Sequence, residues 1–223
     1  MRYEEFVNIQ LGKLKKAGLV DPDKIPDMDL YIDQVETFFK NQTKDIDSET
    51  VRRFLTKTMI NNYAKHDMIP RPDGKKYTAD HMMMIAMVGY LKGIIKMDEI
   101  KYLMKPLVDN YNSDFDESID PEVVYRTACE TNSDFAERLS EDVDKNIVLI
   151  KKLFQNNELD DDERLEVFTL ILSLAMRADM EKYIAERLIE KYFVEPANEK
   201  PVKPAKPAKP AKPGKAAKAE KTR

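Results

Sequence analysis

Apolar residues recur at three- and four-residue steps along most of this chain, and the steps break at a few prolines and polar runs. Tyr3, Phe6, Val7, Leu11, Leu14 and Ala17 predict a helix over residues 2–19. Asp21-Pro22 and Ile25-Pro26 interrupt the pattern. A second helix is expected to start near Asp27 or Asp29, either of which can cap it, and to bury Leu30, Ile32, Val35, Phe38 and Phe39. The polar stretch from Asn41 to Thr50 reads as a loop.

The region from Thr56 to Ile100 is the most informative. Thr56 is placed to cap a short helix, with Leu55 outside it as a staple residue. At about 100° per residue, Lys57, Thr58, Asn61, Asn62 and Lys65 share an arc of roughly 140°, while Met59, Ile60, Tyr63 and Ala64 fill the opposite arc. Ile69-Pro70 ends that helix soon after Lys65, because the residue before a proline avoids helical geometry. Arg71, Lys75 and Lys76 then surround a Pro72-Asp73-Gly74 turn signal, and Tyr77 closes the loop. Thr78 is the next expected N-cap. The helix after it carries Met82, Met83, Met84, Ile85, Met87, Val88, Leu91, Ile94 and Ile95, apolar on nearly all sides and therefore buried.

Beyond Leu103, Pro106 is expected to end regular structure, and Asp109 to Ser118 reads as a polar connector. Asp120-Pro121 is a strong helix start, a capping carboxylate followed by proline at the first helical position. Helical pattern continues to about Phe154, with a break expected near Asn132-Ser133. Acidic residues 160–163 mark the start of another helix, which carries Leu165, Val167, Phe168, Leu170, Ile171, Leu174 and Ala175 and continues to about Tyr192. Residues 118–194 are read as an all-α module.

Composition narrows the chemistry. Gly is scarce, 6 in 223 residues, which favours helices over β-sandwiches and barrels. No apolar run is long enough to span a membrane and no secretory leader is evident, so a cytoplasmic setting is expected. Cys129 is the only cysteine, which excludes an intramolecular disulfide and fits a reducing compartment. His66 and His81 are the only histidines, too few for a histidine-based metal or catalytic cluster. The acidic run at 160–163 lacks the alternating ligands and glycine of a calcium loop, and Asp73-Gly74-Lys75 lacks the glycine framework of a phosphate loop. Met82 to Met84 are core residues on the plain reading, and Cys129 has no activating partner in sequence. No cofactor, metal or catalytic activity is expected.

The net charge of −4 hides a segregation. Residues 1–49 carry 7 basic and 11 acidic side chains, 50–105 carry 11 and 5, 106–195 carry 10 and 23, and 196–223 carry 9 and 2. The two basic segments are the ones suited to a polyanion. In the last segment lysine occupies 200, 203, 206, 209, 212, 215, 218 and 221, a strict step of three. With no apolar face to fold, this tail is expected to be disordered. In polyproline II its lysines would line one side about 9 Å apart. Lys203, Lys206, Lys209, Lys212 and Lys215 are then candidates for non-specific phosphate contacts.

These residues carry a resemblance. Ile60-Asn61-Asn62-Tyr63 followed by Met68-Ile69-Pro70, then a basic loop ending at Tyr77, resembles the MerR family of bacterial regulators. Met97-Asp98-Glu99-Ile100 is similar to a helix start in that family. Asn61 stands where the family has Arg, Asp67 where it has Gly and His81 where it has Asp. A closer resemblance covers about residues 24–110. The runs KIPDMDLYIDQV, LTKTMINNYAKHDMIPRP and KKYTADH are similar to the bacterial family of domain of unknown function 1836, whose members are regarded as transcription regulators with a MerR-like helix-turn-helix. The resemblance implies a DNA-binding regulator, a repressor, with no defined ligand or operator.

The expected architecture is all-α: an N-terminal helix (1–20), a MerR-like winged helix-turn-helix (24–110), a helical module for dimerisation or regulation (118–194) and the disordered basic tail (196–223). The expected partners are double-stranded DNA, located at the nucleoid, and a second copy of the chain. The candidate DNA contacts are Lys57, Thr58, Asn61, Asn62, Tyr63 and Lys65 on the 56–66 helix, and Arg71, Lys75, Lys76 and Tyr77 on the 70–77 wing. Tyr63 and Tyr77 are both open to a reading as core aromatics, with Tyr63 standing evenly between core anchor and phosphate contact. The alternative is a non-enzymatic helical adaptor for protein partners, its basic tail serving solubility or nucleoid association.

Overall fold

A computed structural model describes residues 2–14, 19–42, 55–111, 119–155 and 163–194. Among them the order of elements is α1 (Tyr3–Leu14), a 3-10 turn (Pro22–Lys24), β1 (Leu30–Tyr31), α2 (Ile32–Gln42), α3 (Lys57–Lys65), β2 (Lys76–Tyr77), α4 (Ala79–Leu91), α5 (Met97–Tyr111), α6 (Pro121–Gln155) and α7 (Glu163–Tyr192). The fold is predominantly helical, and the two short strands form the only sheet among the described residues. The basic tail from 196 onward lies outside the described residues.

α4 is the centre. Every residue from His81 to Gly89 is buried, as its all-round apolar sequence requires. Leu30, Val35 and Phe39 cover it together with Ile60 and Tyr63 of α3, Ile100 and Met104 of α5, and two residues from distant parts of the chain, Tyr125 and Ile189. Gly89 lets Leu55 approach closely: a Cβ built there would lie 3.0 Å from a Leu55 methyl carbon. The head thus draws on the first turns of α6 and the last turns of α7 as well as on residues 20–111.

Four expectations are corrected. The helix that follows Thr78 ends at Leu91, so Ile94 and Ile95 lie beyond it, and Ile94 is 43% exposed. The second helix begins at Ile32, not near Asp27 or Asp29. Leu30 and Tyr31 are extended instead and pair antiparallel with Tyr77 and Lys76. The Gln34 side chain accepts a hydrogen bond from the Tyr31 N–H at 2.9 Å, which fixes the helix start. Pro106 does not end regular structure but lies inside α5. Met104, Leu107 and Val108 are buried around it, and that packing holds a helix whose hydrogen bond back to Tyr102 the proline ring removes. Asn132 and Ser133 do not interrupt α6, which is continuous over 35 residues, about 50 Å.

α6 and α7 run antiparallel. Asn146 bonds Ser173 at 3.3 Å and Arg177 bonds Asp142 at 3.2 Å, so contacts advance along one helix as they retreat along the other. Val143, Ile147, Ile150 and Leu170 form a second core between them, against Tyr3, Val7 and Leu11 of α1. α1 is anchored by its polar ends as well. The Tyr3 hydroxyl donates to Glu166 at 2.9 Å, and Glu4 pairs with Lys151, which holds the Glu4 carboxyl below its usual pKa.

Tyr125 joins the hairpin to the head. It is fully buried, and its hydroxyl donates to the Val20 carbonyl at 2.6 Å. Tyr125→Phe should lower the unfolding free energy by about 1 kcal/mol, because it leaves that half-buried carbonyl with only the weak Cys129 thiol donor at 3.8 Å. Denaturant titration followed by far-UV circular dichroism measures the loss, and an unchanged midpoint would rule out this role.

Candidate nucleic-acid interface

The candidate surface is built on α3. Thr56 caps it as expected, its hydroxyl accepting from the Met59 N–H at 3.3 Å. At the other end Asp67 adopts a left-handed backbone with φ 56°. The Asp67 N–H returns to the Ala64 carbonyl and the Met68 N–H to the Tyr63 carbonyl, so the helix closes in a Schellman turn. Glycine is the usual residue at such a position, and Asp is among the few others that tolerate it. Lys101 of α5 sits 3.6 Å from the Asp67 carboxylate and braces the turn.

The two arcs of α3 separate in space. Ile60, Tyr63 and Ala64 are buried, and Lys57, Thr58, Asn61, Asn62 and Lys65 are exposed. The exposed set presents two amides, one hydroxyl and two ammonium groups over nine residues. Paired hydrogen bonding from an amide suits adenine, and ammonium groups suit phosphate or guanine.

Lys57 is not a free cation. Its ammonium pairs with Asp33 and lies 3.9 Å from Glu36, both on α2, and its backbone N–H donates to Glu36 at 3.3 Å. Exposed pairs of this kind are worth about 0–1 kcal/mol, so they compete with a phosphate rather than forbid one. Sequence reasoning missed these partners, and it missed Lys92 and Lys101 beside the site. Lys92 reaches the Met59 sulfur at 3.6 Å and Lys101 reaches Asp67. Both were counted in the basic segment 50–105, but a wheel drawn for α3 alone cannot show residues of α5 or of the turn after α4.

After Ile69-Pro70 the chain forms a minimal hairpin. Asp73 bridges Lys76, whose N–H donates to the Asp73 carbonyl at 2.9 Å. The two central residues, Gly74 and Lys75, have φ of 53° and 65°, the geometry of a type I′ turn. Arg71, Lys75 and Lys76 are all exposed. β2 then pairs with β1, which ties the hairpin base to the start of α2.

Tyr63 and Tyr77, both expected among the contacts, lie in the core at 2% and 3% exposure. The Tyr63 hydroxyl is closed off from solvent with no hydrogen-bond partner among the described residues, and burial pushes its pKa up to about 12. On α3 the tyrosine falls in the apolar arc, and the aromatic body packs where the wheel places it. Lys203, Lys206, Lys209, Lys212 and Lys215 fall outside the described residues.

His81 supports the hairpin from beneath. It is 1% exposed and completes a capping box with Thr78 at the start of α4. Its Nδ1 accepts from the Thr78 N–H at 3.3 Å and lies 2.9 Å from the Thr78 hydroxyl and 3.4 Å from that of Tyr111. An amide N–H can only donate, so the proton of the neutral ring belongs on Nε2. The rings of Tyr77 and Tyr111 stack edge-on against it. Burial holds the imidazole below its usual pKa, opposed in part by the carbonyls of Arg71 and Pro70 and by Asp29. Arg71 and Pro70 begin the hairpin, so His81 links helix cap and loop.

Residues 20–128 match the model of a family described as Domain of unknown function (DUF1836). The match covers 109 of the 223 residues. It ends two turns into α6, just past Tyr125, and so coincides with the head core more closely than with the polar connector at 109–118. No curated protein and no solved structure matches the chain. Among the described residues no group of three or more His, Cys, Asp or Glu side chains is placed to hold a metal ion. No described helix is long and apolar enough to cross a membrane.

The matched segment should carry a pH signature from His81. Its pKa is lowered on folding, so the unfolded chain binds the proton more readily. The stabilisation is complete above about pH 6.5 and declines as pH falls from there toward the folded-state pKa. Thermal unfolding should show a falling midpoint between pH 7.5 and 5.5. His81→Gln, which can retain the capping box, should flatten that decline. An equal decline in the variant would assign it to other groups.

Proposed function

We propose that this chain is a sequence-specific DNA-binding transcription regulator, a repressor, that uses a MerR-like winged helix-turn-helix. In this reading α2 and α3 are the paired helices and the Asp73–Lys76 hairpin is the wing. Asn61, Asn62, Thr58 and Lys65 face base edges in the major groove. Arg71, Lys75 and Lys76 meet the backbone beside it. Lys57 contributes less, because Asp33 and Glu36 already engage it. No catalytic step, cofactor or metal enters this reading.

The observation that carries it is the division of α3. Its apolar arc is fully committed to the core, and all five polar side chains of the other arc stand exposed beside an exposed basic hairpin. A polar outer face alone is common to surface helices, and it is the exposed basic hairpin beside these amides that favours a polyanion. One such domain contacts few bases, and specific affinity then calls for two copies on two half-sites.

The exposed apolar side chains of α6 and α7 favour a second reading, a helical adaptor for protein partners. One experiment separates the two. Genome-fragment selection with the full chain should enrich a defined sequence. On that sequence Asn61→Ala and Asn62→Ala should each cost about 1–3 kcal/mol, with little change on random DNA. Reversing Arg71 and Lys76 to Glu should weaken binding to both. Equal losses on specific and random DNA would remove base readout, and normal binding by the Arg71 and Lys76 variant would favour the adaptor.

The tail adds a separable, sequence-independent term. Removal of residues 198–223 should reduce affinity for all sequences. It should also make the dependence of log affinity on log salt shallower, by about 0.9 for each phosphate that the tail neutralises. An unchanged slope would leave the tail without a DNA role.

A further inference from the structure

An open groove of about 710 Å³ runs along the first half of α6. Val123, Val124 and Phe135 give it an apolar lining, and all three are exposed. An acidic edge adjoins it. At about 100° per residue, one arc of about 80° beside the groove holds Glu130, Asp134, Glu137, Glu141 and Asp144, and no other residue of 127–144 falls within it. All five are exposed. Asp134 pairs with Arg138, and Glu141 lies 3.8 Å from Lys145. Glu130, Glu137 and Asp144 meet no cation among the described residues. Exposed apolar side chains also occur on α7 and on the second half of α6. Here apolar contact and uncompensated negative charge run side by side along one helix.

The chain's own C-terminal segment matches both features and starts beside them. Asn146 faces Ser173 and Asp142 faces Arg177, and the same register carried to the end of α7 sets Val194 level with Tyr125. The segment that follows Val194 therefore leaves from the head end of α6, about 8 Å along the axis from Glu130. From Lys200 to Pro213 its sequence repeats lysine, proline and a small apolar residue. In polyproline II, with three residues per turn, such a repeat sets its lysines on one edge and its prolines on the next. A proline edge suits an aromatic-lined groove, and Phe135 supplies the ring. The lysine edge then follows the acidic arc. Lys203 to Lys209 cover about 19 Å in that conformation, against about 21 Å along α6 from Glu130 to Asp144. Charge agrees. Residues 196–223 carry nine basic and two acidic side chains, and residues 121–144 carry seven acidic and two basic. A tethered segment also needs little intrinsic affinity, because a short linker holds it at about millimolar effective concentration.

We propose that residues 200–213 of the same chain occupy this groove, with prolines over Val123, Val124 and Phe135 and lysines along the arc from Glu130 to Asp144. The contact goes beyond the functional reading above and stands whether or not the chain binds DNA. It also regulates the tail, because a lysine held on α6 is open to another polyanion only once that polyanion displaces α6. The attraction acts between exposed charges, so high salt releases the segment.

Zero-length carbodiimide coupling of the full chain, read by mass spectrometry, tests the docking. The reagent joins a lysine to a carboxylate only where the two touch. Asp179 and Glu181 of α7 are exposed as well, and the helix register sets them level with α6 residues 138–140, so random encounters reach both helices alike. Lys200, Lys203, Lys206, Lys209 and Lys212 should couple to the α6 arc several-fold more than to Asp179 and Glu181. Equal coupling would overturn the proposal. Val123→Ser combined with Phe135→Ser keeps every reacting group and should abolish the preference at unchanged helicity, and a preference that persists would sink the idea. In a mixture of isotopically heavy and light chains, the coupled residues should come from one chain. Heavy–light pairs would assign the groove to the tail of a second copy and overturn docking within the chain.

Discussion

A thirteen-residue helix without a polar face has to be covered on every side, and that requirement on α4 organises the head. Large side chains buried this way contribute about 1.5–3 kcal/mol each, so no arrangement that leaves one side of α4 wet is competitive. α3 supplies one wall, β1 and α2 another, α5 a third, and Tyr125 and Ile189 close the remainder from residues far away in sequence. The candidate surface follows from this. Once Ile60, Tyr63 and Ala64 are drawn onto the core, the helical period alone points Asn61, Asn62 and Lys65 at solvent. The outward face of α3 is therefore as rigid as the core beneath it, a property that base readout needs and a flexible loop lacks.

Backbone constraint is concentrated in the same place. All three positive-φ residues among the described ones, Asp67, Gly74 and Lys75, lie between the end of α3 and the start of β2. Two of them are not glycine, and such residues cost about 1 kcal/mol or more in the left-handed region. The surroundings hold them there: the Schellman bonds and Lys101 at Asp67, and the Asp73–Lys76 bridge at Gly74 and Lys75. His81 works at the same junction from within: its Nδ1 is committed to the cap of α4, and the Arg71 and Pro70 carbonyls oppose the fall in its pKa. A short loop pinned at both ends and from below keeps Arg71, Lys75 and Lys76 at a fixed offset from α3.

The parts of the fold that a local rule decides were legible in the sequence. The caps at Thr56, Thr78 and Asp120, the arcs of α3 and the burial of α4 each depend on residues within one or two turns of each other. The parts that depend on distant partners were not. Two-residue strands such as Leu30–Tyr31 carry no readable alternation, and only Tyr77 and Lys76 across the sheet reveal them. Pro106 reads as a stop until the buried residues around it outweigh one missing hydrogen bond. Tyr63 and Tyr77 carry both a ring to bury and a hydroxyl to offer, and composition cannot say which end decides. The family pattern names a likeness across 20–128, but Asn61, Asp67 and His81 depart from the MerR pattern, and geometry accounts for the last two. Asp67 tolerates the left-handed cap, and His81 completes the capping box from its side chain.

Electrostatics gives the candidate surface a particular character. The segment 50–105 carries an excess of six basic charges, yet the structure offsets several of its cations locally. Lys57 meets Asp33 and Glu36, Lys101 meets Asp67, and Lys96 meets Glu99. Each offset cation is one fewer condensed counterion released on DNA, and non-specific affinity weakens accordingly. On the functional reading proposed above, a domain arranged this way would gain little from sequence-independent attraction and would depend more on what its amides can distinguish. Two copies acting together would restore affinity without giving up that discrimination, because contacts to a second half-site reward only the sequence that presents both.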